Sequence, residues 1–260
     1  MNKTIFRIIR IILIIVCIGI IGFEGYKIYD DQQEYAVADT EYEEIEKKAV
    51  VWPSSEDEAE LVDYPLITID FDGLEATNKD FVAWLYFPAL EISYPVVKEN
   101  YVDEYIHTTF DGKTNKAGCL FEDVLSDEQF RGMHDIVFGH NMKNLSMFGS
   151  LKLLYKKGNE NLLKGNPYVY VYTRDYIFQY RVFGYYITNV GSYAYTNVLT
   201  NSTYDELVDY IRTNTIYPVP SDADFSLRPS LLTLSTCSGA SGSGKRFVVH
   251  TYKTGAWERR

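Results

Sequence analysis

Two tyrosine-rich runs, residues 168–172 and 176–186, alternate in character and are separated only by Thr173-Arg174-Asp175. A period of two sends successive side chains to opposite faces of an extended chain, and so short a connection lets the runs pair as a β-hairpin. Further short β-type runs occupy 66–71, 83–87, 92–97, 119–122, 136–138, 230–236 and 246–252. That many short strands cannot all be edges of small sheets, so the body is expected to be mostly β, as a closed barrel or a sandwich. Helical spacing interrupts it at 146–155, through Met147, Leu151 and Leu154, and at 203–213, through Leu207, Tyr210 and Ile211. The second of these helices is expected to be capped by Thr203 with Glu206. With 260 residues, 46% of them hydrophobic, there is ample material for a packed core.

The N-terminus has a different texture. After Lys3, Arg7 and Arg10, residues 11–23 carry no charge. Counted from Ile5 with the arginines snorkelling, the apolar run is about as long as the roughly 20 residues that cross a bilayer. The run ends in Gly22-Phe23-Glu24-Gly25-Tyr26. That sequence lacks a small-x-small cleavage site, which favours a signal anchor over its rival, a cleaved signal peptide. Basic residues before the helix and acidic ones after it orient the N-terminus to the cytoplasm and the body outside. Residues 24–63 hold 14 acidic and 3 basic side chains, so this stretch accounts for the whole net charge of -11. It is expected to be an acidic stalk of one or two helices mixed with solvated spacer, the second helix starting at Ser55 with Glu58 as a capping box. The domains are then a membrane helix at 1–23, a stalk at 24–63 and a β-rich body at 64–260. The body has no basic stripe with interleaved aromatics, which argues against nucleic acid as a partner. It also has no HExxH, CxxC, GxGxxG or Walker sequence, and neither a metal nor a cofactor is expected.

Chemistry concentrates at the end of the chain. Leu231-Leu232-Thr233-Leu234-Ser235-Thr236-Cys237 is a strand ending in a thiol, and Arg246 opens the next strand across a Ser-Gly-Ala loop. A strand end is held by its ladder, while the loop beyond it leaves room for a substrate. Cys237 could equally be a small buried hydrophobe in a membrane-anchored binding module, or the partner of Cys119 in a disulfide. As a nucleophile it would need a proton carrier. Of the four histidines, His140 follows the strand 136–138 behind Gly139. His134 sits just before that strand and reads as a surface loop residue, and His107 and His250 read as packing or surface residues.

Thr233, Leu234, Thr236, Cys237 and Arg246 match every fixed position of the Thr-Leu-x-Thr-Cys…Arg signature of the sortases. Asp135-Ile136-Val137-Phe138-Gly139-His140-Asn141-Met142 resembles that family's histidine strand. Trp84-Leu85, Tyr94-Pro95-Val96-Val97 and Met147-Phe148-Gly149-Ser150-Leu151 resemble class B members. The resemblance implies a closed sortase-type β-barrel with a few helices, anchored in the membrane of a Gram-positive bacterium. It implies a cysteine transpeptidase with Cys237 as nucleophile, His140 as acid and base, and Arg246 on the oxyanion or substrate. Ser235, Thr236 and Tyr210 fall where the substrate groove would be lined, Tyr210 on the helix of the long 186–227 connection. The implied partners are exported proteins with a C-terminal sorting signal, cut after the threonine of a Pro-x-Thr core, and an amine of peptidoglycan or its lipid-linked precursor. A pilin-polymerising enzyme is the alternative within the family. Many class B members carry an acidic residue directly after the cysteine; here it is Ser238, so any carboxylate that orients His140 must come from elsewhere.

Overall fold

Eight strands close on themselves in the computed structural model, which describes residues 3–53, 64–240 and 242–259. They are β3 (Phe81–Phe87), β4 (Ile92–Lys98), β5 (Leu120–Glu122), β6 (His134–Phe138), β7 (Tyr168–Tyr172), β8 (Tyr176–Asn189), β9 (Leu231–Cys237) and β10 (Lys245–Glu258). Around the barrel they run β10-β8-β7-β3-β4-β5-β6-β9. The tyrosine-rich runs form the β7–β8 hairpin, with Tyr172 paired to Ile177. Two of the pairings are parallel, β4 with β5 and β6 with β9. Closure leaves no open edge and encloses Leu85, Val96, Val169, Val171, Tyr180, Leu232, Leu234 and Val249, each fully buried. Burying a Val, Leu or Phe side chain this completely contributes roughly 1.5–3 kcal/mol.

Four local expectations are corrected. Residues 66–71 do not form one strand: only Thr68–Ile69 (β2) is extended, paired with β1 (Val50–Val51), and Phe71–Thr77 is a helix, α2. The reason is Asp70, whose carboxylate accepts the Gly73 N–H at 3.0 Å and caps the helix. Residues 146–155 do not form one α-helix: Met147 takes a left-handed backbone conformation (φ 52°) that no α-helix can run through, and the chain is helical only over Gly149–Tyr155, as a 3-10 segment. The connection helix, α3 (Asn201–Asn214), starts earlier than expected. Thr200 caps it in a reciprocal exchange with Thr203, while Glu206 accepts instead from Ser202 and Tyr193. His134 belongs to β6 and is buried rather than exposed in a loop.

The apolar run and the first part of the acidic stretch are one helix, α1 (Lys3–Ala49). Its first part is long and apolar enough to cross a membrane, with a mean hydropathy of 2.6 over its most apolar window. Its last turns lie on the barrel through Ala38, Tyr42 and Ala49. There the acidic residues have basic partners: Glu41 meets Lys113 at 3.1 Å, and Asp31 and Glu34 meet Lys116 at 3.0 and 2.8 Å. The Tyr42 hydroxyl donates to the Gly118 carbonyl at 2.6 Å and accepts the Phe110 N–H at 3.2 Å, fixing the β4–β5 connection. The helix expected from Ser55 lies outside the described residues.

Candidate active site

Strand register brings the three chemically promising side chains together. In the parallel pair β6–β9, Phe138 stands beside Ser235, so two residues further on His140 comes level with Cys237 on the same face. In the antiparallel pair β9–β10, Arg246 is directly opposite Cys237. Imidazole, thiol and guanidinium therefore meet at one rim of the barrel, on three neighbouring strands. All three line a cleft of about 150 Å3, together with Phe138, Gly139, Ser235, Thr236 and the carboxylates Glu99, Asp103 and Asp123. A larger cavity of about 610 Å3 between α1 and the barrel is lined by neither a cysteine nor a histidine.

Each member of the trio is held from behind. Asn141 Nδ2 donates to the Cys237 carbonyl at 2.8 Å, and the buried Thr236 hydroxyl donates to the Gly139 carbonyl at 2.7 Å, so the two strand ends are tied across the parallel pair. Gly139 admits no side chain: a Cβ would lie 2.4 Å from Leu120 and 2.7 Å from Phe148. Cys237 is exposed and free, and Cys119 is free and buried with its sulfur against the Pro95 carbonyl, so the two form no disulfide. Burial of the Cys119 thiol pushes its pKa up to about 12 and makes it a poor nucleophile.

His140 Nε2 bonds the Ile106 carbonyl. A carbonyl only accepts, so the proton sits on Nε2 and the lone pair on Nδ1, leaving Nδ1 as the basic nitrogen. Burial lowers the pKa of His140, and the neighbouring His107, stacked 5.6 Å away, lowers it further against the opposing pull of the Ile106 bond. The group that orients this histidine is a backbone carbonyl; no carboxylate is needed. Arg246 is half-buried and has no carboxylate within ion-pair distance among the described residues; its Nη1 donates to the Lys245 carbonyl at 3.2 Å. The N–H after the cysteine, on Ser238, is engaged by the Lys245 carbonyl at 2.9 Å, which leaves the guanidinium of Arg246, the residue paired with Cys237, as the donor at this cleft.

Ser235 and Thr236 line the cleft, and the Ser235 hydroxyl is shared with Tyr195 at 2.9 Å. Tyr210 lies elsewhere, with its ring against Tyr186 and Tyr193. Sequence reasoning missed Tyr195, whose ring stacks on Phe138, and the contributions of Glu99, Ile106 and His107. The last three lie on β4's exit and the β4–β5 connection, where no periodicity or motif signals their approach to the rim.

Glu99 is only 5% exposed, and its carboxyl is pushed up to about 7 by burial and by Asp103 and Asp123 nearby. Its folded pKa is thus above its unfolded value, so the folded state binds the extra proton and gains stability as pH falls from above 7 towards the unfolded pKa. Glu99→Gln is accordingly expected to raise Tm at pH 8 by about 2–4 °C, the equivalent of roughly 1 kcal/mol at this size, and by much less at pH 5. Thermal unfolding at the two pH values checks this, and an equal gain at both would show that the carboxylate carries no such cost.

A closed barrel with a strand-end thiol flanked by an imidazole and a guanidinium is the architecture of the sortases. The family model described as the Sortase domain matches residues 85–254, and the chain belongs to that family. Sortase B of Listeria monocytogenes is 27% identical over 165 residues, covering 63% of this chain and 65% of that protein, just under two thirds of its length. Sortase B of Staphylococcus aureus is 26% identical over 181 residues, covering 69% of this chain and 72% of that protein. The crystal structure of sortase B from B. anthracis superposes with a TM-score of 0.69 at 23% identity, covering 87% of this chain and 99% of that one. Within the family the chain is class B-like.

Proposed function

We propose that the chain is a class B-like cysteine transpeptidase, held at the outer face of the cell membrane by α1 with its N-terminus in the cytoplasm. The observation that carries this reading is the convergence of Cys237, His140 and Arg246 on one cleft from three adjacent strands. His140 Nδ1 takes the thiol proton, and the thiolate attacks the carbonyl carbon of the threonine in a Pro-x-Thr sorting signal. Negative charge moves to the carbonyl oxygen, where the Arg246 guanidinium holds it. The oxyanion collapses, the C–N bond breaks and His140 returns its proton to the leaving amine, leaving a thioester on Cys237. An amine of peptidoglycan or its lipid-linked precursor then attacks the thioester, gives a proton to His140 and displaces the thiolate, which recovers the proton. The net change is one amide exchanged for another. Ser235 and Thr236, at the cleft lining, are the proposed peptide contacts, and Tyr210 would act through the face of α3.

The test uses the full chain in detergent, incubated with a library of Pro-x-Thr peptides and analysed by intact mass. An adduct equal to the peptide up to and including its threonine, mapped to Cys237, is expected. A chain that binds such peptides and never acquires the adduct would be a binding module.

A further inference from the structure

Beneath the rim runs a chain of four side chains that the mechanism leaves unused. His134 Nδ1 lies 3.0 Å from the Thr196 carbonyl and its Nε2 lies 2.8 Å from the Thr233 hydroxyl. The same hydroxyl lies 2.8 Å from His250 Nδ1, and His250 Nε2 lies 3.1 Å from the Tyr186 hydroxyl. All four residues are buried, with exposures of 7% or less.

One end of this chain determines every proton in it. The Thr196 carbonyl only accepts, so His134 carries its proton on Nδ1 and its bare Nε2 accepts from the Thr233 hydroxyl. Having spent its one proton, Thr233 accepts from His250 Nδ1, and the bare Nε2 of His250 accepts from Tyr186. Donation therefore runs in one direction, from Tyr186 through His250, Thr233 and His134 to Thr196, with both imidazoles in the Nδ1–H tautomer. Burial keeps the rings neutral, as the relay requires: it lowers His134 to about 4 and His250 well below its ordinary value.

The two ends are informative. Thr196 closes the turn Tyr193–Tyr195, and Tyr195 holds two cleft-lining residues, Ser235 through its hydroxyl and Phe138 through its ring. Tyr186 packs edge-on against Tyr210 of α3. We propose that Tyr186, His250, Thr233 and His134 form a single directional relay that fixes the 193–196 turn and the connection after it against the nucleophile strand, making them positioning residues for peptide binding. The proposal rests on the acyl-transfer reading above. Each link on its own is a modest hydrogen bond, but breaking the middle strands two buried nitrogens at once.

Thr233 is the place to cut, because valine keeps its shape and loses its hydroxyl while serine keeps the hydroxyl. In the full chain in detergent, Thr233→Val is expected to raise KM for a sorting peptide about tenfold with kcat changed less than about threefold, and Thr233→Ser to remain close to the parent. Labelling of Cys237 by a small thiol reagent is expected to proceed at the parent rate, since the nucleophile is untouched. Imidazole 15N spectra of the parent should show His134 and His250 as Nδ1–H tautomers; Thr233→Val should keep that signature at His134, whose Nδ1 still donates to Thr196, and lose it at His250, whose Nδ1 has lost its acceptor. Parental KM in a folded Thr233→Val, or an unchanged His250 tautomer, would overturn the relay. Should Thr233→Val not fold, Tyr186→Phe removes the hydroxyl at the far end: a KM raised about threefold is expected, and parental KM overturns the proposal. A parent chain that cleaves no sorting peptide would sink the transpeptidase reading instead, and the tautomers alone would then decide whether the relay exists.

Discussion

Cys237→Ala is expected to abolish peptide cleavage, and His140→Ala to lower kcat/KM by about 10^3-fold, within the range by which a positioned acid–base group accelerates proton transfer. The cysteine has no substitute, because the other body thiol, Cys119, is buried and pushed up to about 12. The histidine has a neighbour, since His107 stacks on it at 5.6 Å. Yet the Ile106 carbonyl fixes the proton position of His140 alone. Arg246→Lys is expected to lose about 10^2-fold in kcat, because an ammonium cannot present the planar fork of donors that Arg246 brings to the cleft while the Ser238 N–H is engaged elsewhere. Steady-state kinetics on a sorting peptide, with thermal unfolding as a check on folding, measure all three. Undiminished turnover by His140→Ala would remove the histidine, and the mechanism with it.

Gly118→Ala is expected to damage both stability and catalysis from a position outside the cleft. Gly118 has φ +56°, and an added Cβ would lie 2.5 Å from the Tyr105 carbonyl oxygen and 2.6 Å from that of Ile106. The left-handed backbone alone costs an alanine about 1–2 kcal/mol. The obstructing atoms are main chain and cannot rotate away, and one of them is the carbonyl that accepts from His140. A total loss of roughly 3 kcal/mol, or about 6–12 °C in Tm for a domain of this size, is expected with a fall in kcat that exceeds the change in KM. Gly112 is the control: its φ is +77°, but nothing lies within 4 Å of its Cβ position, so Gly112→Ala should cost only the backbone term and leave kcat alone. Equal effects from the two substitutions would mean that the close approach to Ile106 is irrelevant to His140.

Much of the molecule is legible in order along the chain. Alternation at 168–186 specifies a hairpin because a period of two and a three-residue link are both local properties, and β7 and β8 pair as that pattern requires. The thiol and the guanidinium are readable for the same reason: each stands at the end of a short strand, and the loop between them is short enough to pair those strands with Cys237 opposite Arg246. Errors fell where a single side chain redirected the backbone, as when Asp70 capped a helix inside an apparent strand, or where the left-handed backbone at Met147 stopped an α-helix from forming.

What only the tertiary structure decided is the company these residues keep. His140 and Cys237 are 97 positions apart, and the parallel register of β6 and β9 makes them neighbours. The acceptor that sets the histidine's proton is a carbonyl in the β4–β5 connection, held in place by Tyr42 of α1 through Gly118. Backbone carbonyls are the same at every residue, so nothing in a string of side chains distinguishes the one at Ile106. His134 looked like a loop residue for a related reason: its burial depends on Thr196 and Thr233, both more than 60 positions away. Composition and spacing act through neighbours in sequence, and therefore determine the strands and the reactive groups at their ends. Closing the barrel creates contacts across its wall, and those contacts set which nitrogen is basic, which donor is free and which polar groups are buried as a network.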